Sequence, residues 1–153
     1  MDVSLVQSAF VWNLLVATLL GALMGLERTI AGKQAGMRTY ALVSLGSCLF
    51  VICGTLASYM LGPSFSEINP LQIAGSIVIG IGFIGSGLAL AKQGEHVELT
   101  TASGIWVAAG VGMASGFGLY LLAFGSAVCS IIVFSLLLRV ENAIRKHVGT
   151  EQD

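Results

Sequence analysis

Charge is what this sequence has least of. Of its 153 residues only 10% are Asp, Glu, Lys or Arg, where a soluble domain carries about 25%. So few charges could not cover the core of a soluble fold of this size, and that class is excluded. The charges present sum to −1, so no basic excess points to nucleic acid. The three cysteines, Cys48, Cys53 and Cys129, all fall in apolar runs, are odd in number and show no CxxC spacing. That argues against a disulfide framework or a zinc site, and they read as small packing residues. No GxxxxGK[ST] loop occurs, so ATP hydrolysis by this chain alone is not expected. No cofactor is implied.

What fills the sequence instead is apolar: 56% of it, with a mean hydropathy of +0.91. A helix crosses the hydrocarbon core with about 20 such residues. The expected fold is an all-α integral membrane protein, one domain of five transmembrane helices, with spans over 8–26, 40–61, 71–91, 100–115 and 117–138. The last two share an uncharged stretch too long for one helix, and "ASGFG", Ala114 to Gly118, is the expected turn. The fourth span is short, about 24 Å at 1.5 Å per residue.

Charge placement orients the chain. Asp2 precedes the first run and Arg28 follows it, the reverse of a cleavable signal peptide. With the N-terminus outside and the C-terminus cytoplasmic, Arg28, Lys33, Arg38, Lys92, Arg139, Arg145 and Lys146 all fall inside. This satisfies the positive-inside rule, which a four-span arrangement would break. Tyr40, Tyr59 and Tyr120 lie near expected membrane surfaces. The tail 139–153 begins as a helical extension, with Val140, Ile144 and Val148 on one face and Glu141 spaced to pair with Arg145.

"GIGFIG", Gly80 to Gly85, matches GxGxxG, but it lies inside a span rather than between a strand and a helix, so a nucleotide site is not expected. Gly75, Gly80, Gly82, Gly85 and Gly87 suggest close helix approach or local unwinding. "GALMG" at Gly21 and Gly25 and "GMASG" at Gly112 and Gly116 are GxxxG pairs, which let backbones pack closely in lipid, within one chain or between chains. "EHVE", Glu95 to Glu98, reads as a solvated loop rather than a metal site, and His96 and His147 are far apart. No ionisable residue lies deep in a span, which weakens a coupled-transporter reading. The buried polar candidates are Asn13, Thr18, Ser44, Ser47, Thr55, Gln72, Ser76, Ser86 and Ser103, and most hydroxyls of this kind bond back to their own helix.

"GLERTIAGKQAGMRTYAL" gathers three of the seven basic residues between two apolar runs. Glu27 and Arg28 end the first span and Arg38 begins the second. A pair between Glu27 and Arg38 is expected where water thins, against the alternative that the basic residues only anchor topology. Gly32 and Gly36 suit the turn between them.

"GLERTIAGKQAGMRTYALVSLGSCLF", "NPLQIAGSIVIGIGFIGSGLAL" and "LTTASGIWVAAGVGMASGFGLY" resemble, in order, three signatures of the MgtC/SapB family of bacterial inner-membrane proteins. Asn69 stands where the family commonly has Asp, with Glu67 close by, and the soluble C-terminal domain that many members carry is not expected in the residues after the last span. The resemblance implies a multi-pass protein of the bacterial inner membrane, associated with growth under magnesium limitation and survival inside host cells. It implies a non-enzymatic regulator that binds other membrane proteins or itself. The alternative is an oligomeric channel or carrier for Mg²⁺ or another cation; no metal ligands are assigned. The expected functional residues are Glu27, Arg28, Arg38 and Thr39 at the inner face, Gly21, Gly25, Gly80, Gly82, Gly85 and Gly87 as packing or pore glycines, Thr100, Thr101 and Trp106 of the third signature, and Glu67 and Asn69 at the outer mouth.

Overall fold

The computed structural model describes residues 3–60, 69–90 and 99–148. They form α1 (Val3–Ile30), α2 (Met37–Met60), α3 (Pro70–Leu90), α4 (Leu99–Gly116) and α5 (Tyr120–Ile132). A single π-helical turn (Val133–Leu137) then leads without a break into α6 (Leu138–Val148). The helical tail expected from its periodicity is present; the side chain of Arg145 lies outside the described residues, as do Lys92, the "EHVE" segment and Glu67.

Four of these segments are long and apolar enough to cross a membrane: Ser8–Ile30, Met37–Met60, Leu71–Leu88 and Tyr120–Ile144. The fourth expected span, α4, is not among them. It has 18 residues, and Gly, Ala, Ser and Thr dilute its apolar content. Its position explains this composition. α4 packs against α1, α2, α3 and α5, and Ile105, Ala108, Ala109, Val111 and Ala114 are buried in the main core. A helix surrounded by helices needs small residues more than greasy ones.

Contacts give the helix directions. α1 and α2 are antiparallel: Gly25 faces Met37, and Gly21 faces Tyr40 and Ser44. α4 runs parallel to α2, with Thr101 beside Tyr40 and Gly116 beside Cys48 and Val51. α3 returns the other way, from Ile73 at Gly54 to Gly85 at Ala102. α5 starts at Asn13 and reaches Arg28 through Phe134. The five helices therefore alternate in direction, with one end carrying Glu27, Arg28 and Arg38 and the other carrying Asn13 and Tyr120.

Both tight turns are set by glycine. Gly32 (φ 68°) and Gly118 (φ 74°) adopt the left-handed conformation that closes a helix. The amide of Gly32 donates to the carbonyl of Thr29 and that of Lys33 to Arg28; Gly118 and Leu119 do the same to Ser115 and Ala114. α3 begins differently. Asn69 Oδ1 accepts the Leu71 amide at 2.9 Å, with Pro70 at the first helical position.

The outside of the bundle is apolar. Leu121, Phe83, Ile79 and Leu19 are more than half exposed, a surface that only a bilayer would cover over such an extent. α3 is the outermost helix: only 6% of its Leu71–Leu88 window is buried in the chain.

Candidate functional site

The charged end is built from the last turn of α1. Arg28 lies where the unpaired carbonyls of a helix C-terminus favour a cation. Thr29 Oγ1 donates to the carbonyl of Gly25 and accepts the amide of Met37, which ties the end of α1 to the first residue of α2. Gly25 makes this approach possible, because a Cβ there would lie 2.6 Å from the Cα of Met37.

Arg28 is buried, with only 2% of its surface exposed. Its Nε donates to Glu27 Oε2 at 2.5 Å, and Glu27 is itself half-buried. Its guanidinium lies 4.0 Å from the centroid of the Phe134 ring. A desolvated contact of this kind contributes about 2 kcal/mol. Phe134 sits in the π-helical turn, and such turns inside α-helices commonly mark functional positions. The edge of Phe134 meets Tyr40 at an interplanar angle of 85°. The Tyr40 hydroxyl in turn donates to the carbonyl of Thr101 at 3.3 Å. Glu27, Arg28, Phe134, Tyr40 and Thr101 thus link α1, α2, α4 and α5 in one chain of contacts.

This corrects the expected pairing. Glu27 does not pair with Arg38; its partner is Arg28, the next residue in the chain. Arg38 is exposed on the first turn of α2, and no ion pair forms on it among the described residues. The helix ends cross so closely at Gly25 that Arg28 turns inward under α5 while Arg38 is left outside. Thr39 is half-buried beside it.

The glycines divide into two groups. Gly21, Gly25, Gly112 and Gly116 make backbone contacts: a Cβ on Gly21 would lie 2.6 Å from the Tyr40 carbonyl oxygen, and one on Gly116 would lie 3.0 Å from that of Cys48. Those of α3 do not. Gly80, Gly82 and Gly87 have no atom near the Cβ position, Gly85 has only Ala102 at 3.8 Å, and the helix is regular. Neither close approach within the chain nor unwinding occurs there.

Of the third signature, Thr101 is buried in the cluster, while Thr100 and Trp106 are exposed. Asn69, expected at an outer mouth, caps α3. Among the polar candidates, Thr18, Thr55, Ser76 and Ser103 donate to the carbonyl four residues back and Ser86 to that three back. Thr55, Gln72, Ser76, Ser86 and Ser103 are exposed rather than buried. Asn13 is buried and clips the other end of the bundle: its Nδ2 donates to the Gly116 carbonyl, and its Oδ1 accepts the Tyr120 hydroxyl. Ser44 is fully buried between Gly21 and Gly112, and its Oγ has no hydrogen-bond partner. Phe134 escaped the sequence reading, because nothing in an apolar run marks which Phe will lie under a cation.

An apolar exterior, alternating helices and a buried ion pair at one end define a multi-pass helical membrane protein. The sequence model of the MgtC family matches residues 14–143, and the chain belongs to that family. It is 37% identical over 128 residues to an Escherichia coli (strain K12) protein described as "Putative magnesium transporter YhiD", covering 83% of this chain and 60% of that one. It is 38% identical over 125 residues to the SapB protein of Bacillus subtilis (strain 168), covering 80% and 53%. It is 37% identical over 140 residues to the MgtC protein of Salmonella typhimurium (strain LT2), covering 91% and 56%. The chain therefore spans little more than half the length of these relatives. No solved structure matches it at a significant level.

Proposed function

We propose that this chain is a non-enzymatic regulator of the bacterial inner membrane in adaptation to magnesium limitation, acting by helix-to-helix binding to other membrane proteins or to itself. The observation that carries this reading is how the centre of the bundle is filled. α4 occupies the axis, and at Gly112 its backbone lies against that of Ser44, with no room for a side chain. A single chain packed this way offers no polar path for a cation, whereas the apolar flank of α3 is open to a neighbour. The cluster around Arg28 is the proposed functional centre, since a buried, paired cation at a helix crossing can be rearranged by a partner that contacts Glu27 or α5. The magnesium connection rests on family membership and on the description of the Escherichia coli relative.

The charged end is proposed to face the cytoplasm, with all five helices crossing and the N-terminus outside. Single cysteines at Gln34 and Gly118, in a chain lacking its native cysteines, test this. An impermeant maleimide should label only the second in spheroplasts, and the opposite pattern overturns the orientation.

For the function, Mg²⁺ flux is measured in proteoliposomes containing this protein alone, and growth in low magnesium is scored for Arg28→Gln. No protein-dependent flux, together with a growth defect at normal protein level, is expected. A saturating, gradient-driven flux would overturn the regulator and make an oligomeric channel or carrier the primary reading.

A further inference from the structure

α2 and α3 touch near one end of the bundle and separate toward the other. At Gly54 the side chain of Ile73 occupies the space where a Cβ would be. From there the two helices part, leaving a cleft of about 690 Å³ walled by Leu42, Gly46 and Phe50 on α2 and by Ile77, Gly80 and Ile84 on α3. Gly46 and Gly80 have open space at their Cβ positions, so the absence of side chains at these two residues makes the cleft deeper.

We propose that this cleft is a binding site for one anionic phospholipid, with an acyl chain between α2 and α3 and the phosphate on Arg38. Three observations support this occupant. The first is size. Along α2 the cleft runs from Leu42 to Gly54, about 18 Å at 1.5 Å per residue, close to the depth of one leaflet of a core about 30 Å thick. An acyl chain, one methylene wide, can reach the end where Ile73 fills the space at Gly54; a helix about 10 Å in diameter cannot. The second is charge. Arg38 lies one helical turn before Leu42 on the same ridge of α2, exposed and without an ion pair among the described residues. Side chains on a helix lean toward its N-terminus, so Arg38 reaches from the mouth of the cleft toward the headgroup layer. The third is the helix itself: the N-terminal end of α2 carries the positive end of its dipole beside the same position.

The site is independent of the magnesium reading and is tested without it. Native mass spectrometry is run on the purified full chain in detergent, titrated with phosphatidylglycerol or with phosphatidylcholine. One phosphatidylglycerol per chain should be retained in preference to phosphatidylcholine. Arg38→Gln should weaken phosphatidylglycerol about tenfold and remove the preference, the effect of one charge-assisted hydrogen bond. Gly46→Leu should fill the cleft and abolish retention of both lipids. Gly80→Leu on the opposite wall should do the same and serves if the first variant fails to fold. Equal retention of both lipids by wild type and variants would overturn the proposal. So would a dimer that Gly46→Leu converts to monomer with lipid binding unchanged, which would assign the cleft to a second copy of the chain.

Discussion

Replacing Gly112 by alanine adds one methyl group at the place where α4 lies closest to α2. That methyl would fall on the backbone of Ser44, 2.7 Å from its carbonyl carbon and 2.8 Å from its Cα. The Ser44 carbonyl oxygen is nearer still, so relative to an ordinary contact of 3.4 Å the two helices must separate by well over the about 0.7 Å that the carbonyl carbon alone would demand. No flexible side chain is available to yield, so the shift is transmitted to Tyr40, Gly21 and the whole α1–α2–α4 crossing. Overpacking of this kind costs about 1–3 kcal/mol. The control is Gly110→Ala on the same helix, where nothing lies within 4 Å of the new Cβ and alanine gains about 0.5–1 kcal/mol of helix propensity. Both variants share that gain, so they should differ by the overpacking cost, roughly 1–3 kcal/mol, which at about 2–4 °C per kcal/mol for a chain of this length is about 2–12 °C in apparent Tm. Thermal unfolding of the detergent-solubilised protein, followed by loss of the monodisperse peak, reads this difference. Equal stability of the two variants would refute the placement of α4 against Ser44, and with it the argument that the bundle axis is closed.

Arg28→Gln breaks a buried pair and a ring contact and should cost about 3–5 kcal/mol, whereas Arg38→Gln, at an exposed position, should stay within about 0.5 kcal/mol; the same unfolding assay ranks them. Ser44→Ala removes a buried hydroxyl that has no partner and should be neutral or stabilising by up to about 1 kcal/mol, while Ser44→Val, between Gly21 and Gly112, should destabilise. Asn13→Ala removes two hydrogen bonds at the far end of the bundle and should cost about 1 kcal/mol, without altering growth in low magnesium if the functional centre is at Arg28.

The class, the helical content and the ends of three helices were already present in local sequence. Low charge and long apolar runs are local properties, and the boundaries of α2, α3 and α4 fall within a few residues of those expected from composition alone. Gly32 and Gly118 turn the chain where they were expected to, because a positive φ is a demand on one residue and not on its surroundings. The GxxxG pairs at Gly21, Gly25, Gly112 and Gly116 were legible as close-packing positions because small residues four apart leave one helix face bare.

Which residues face each other emerged only from the assembled bundle. The glycines of α3, like those of α1 and α4, were expected to mark close helix approach, yet they face outward, because α3 lies at the edge of the bundle. The weakest candidate span, α4, turned out to be the central helix, since hydropathy reports contact with lipid and α4 makes most of its contacts with protein. Glu27 was one residue from its partner and was expected to pair with Arg38, eleven residues along. The choice between Arg28 and Arg38 depended on the rotation of α1 at the Gly25 crossing and on a π-helical turn more than a hundred residues away that brings Phe134 beneath the guanidinium. Neither the rotation of a helix about its axis in a crowded bundle nor the place of an aromatic ring under a cation is written in any local stretch of sequence; both follow from many small packing contacts made at once.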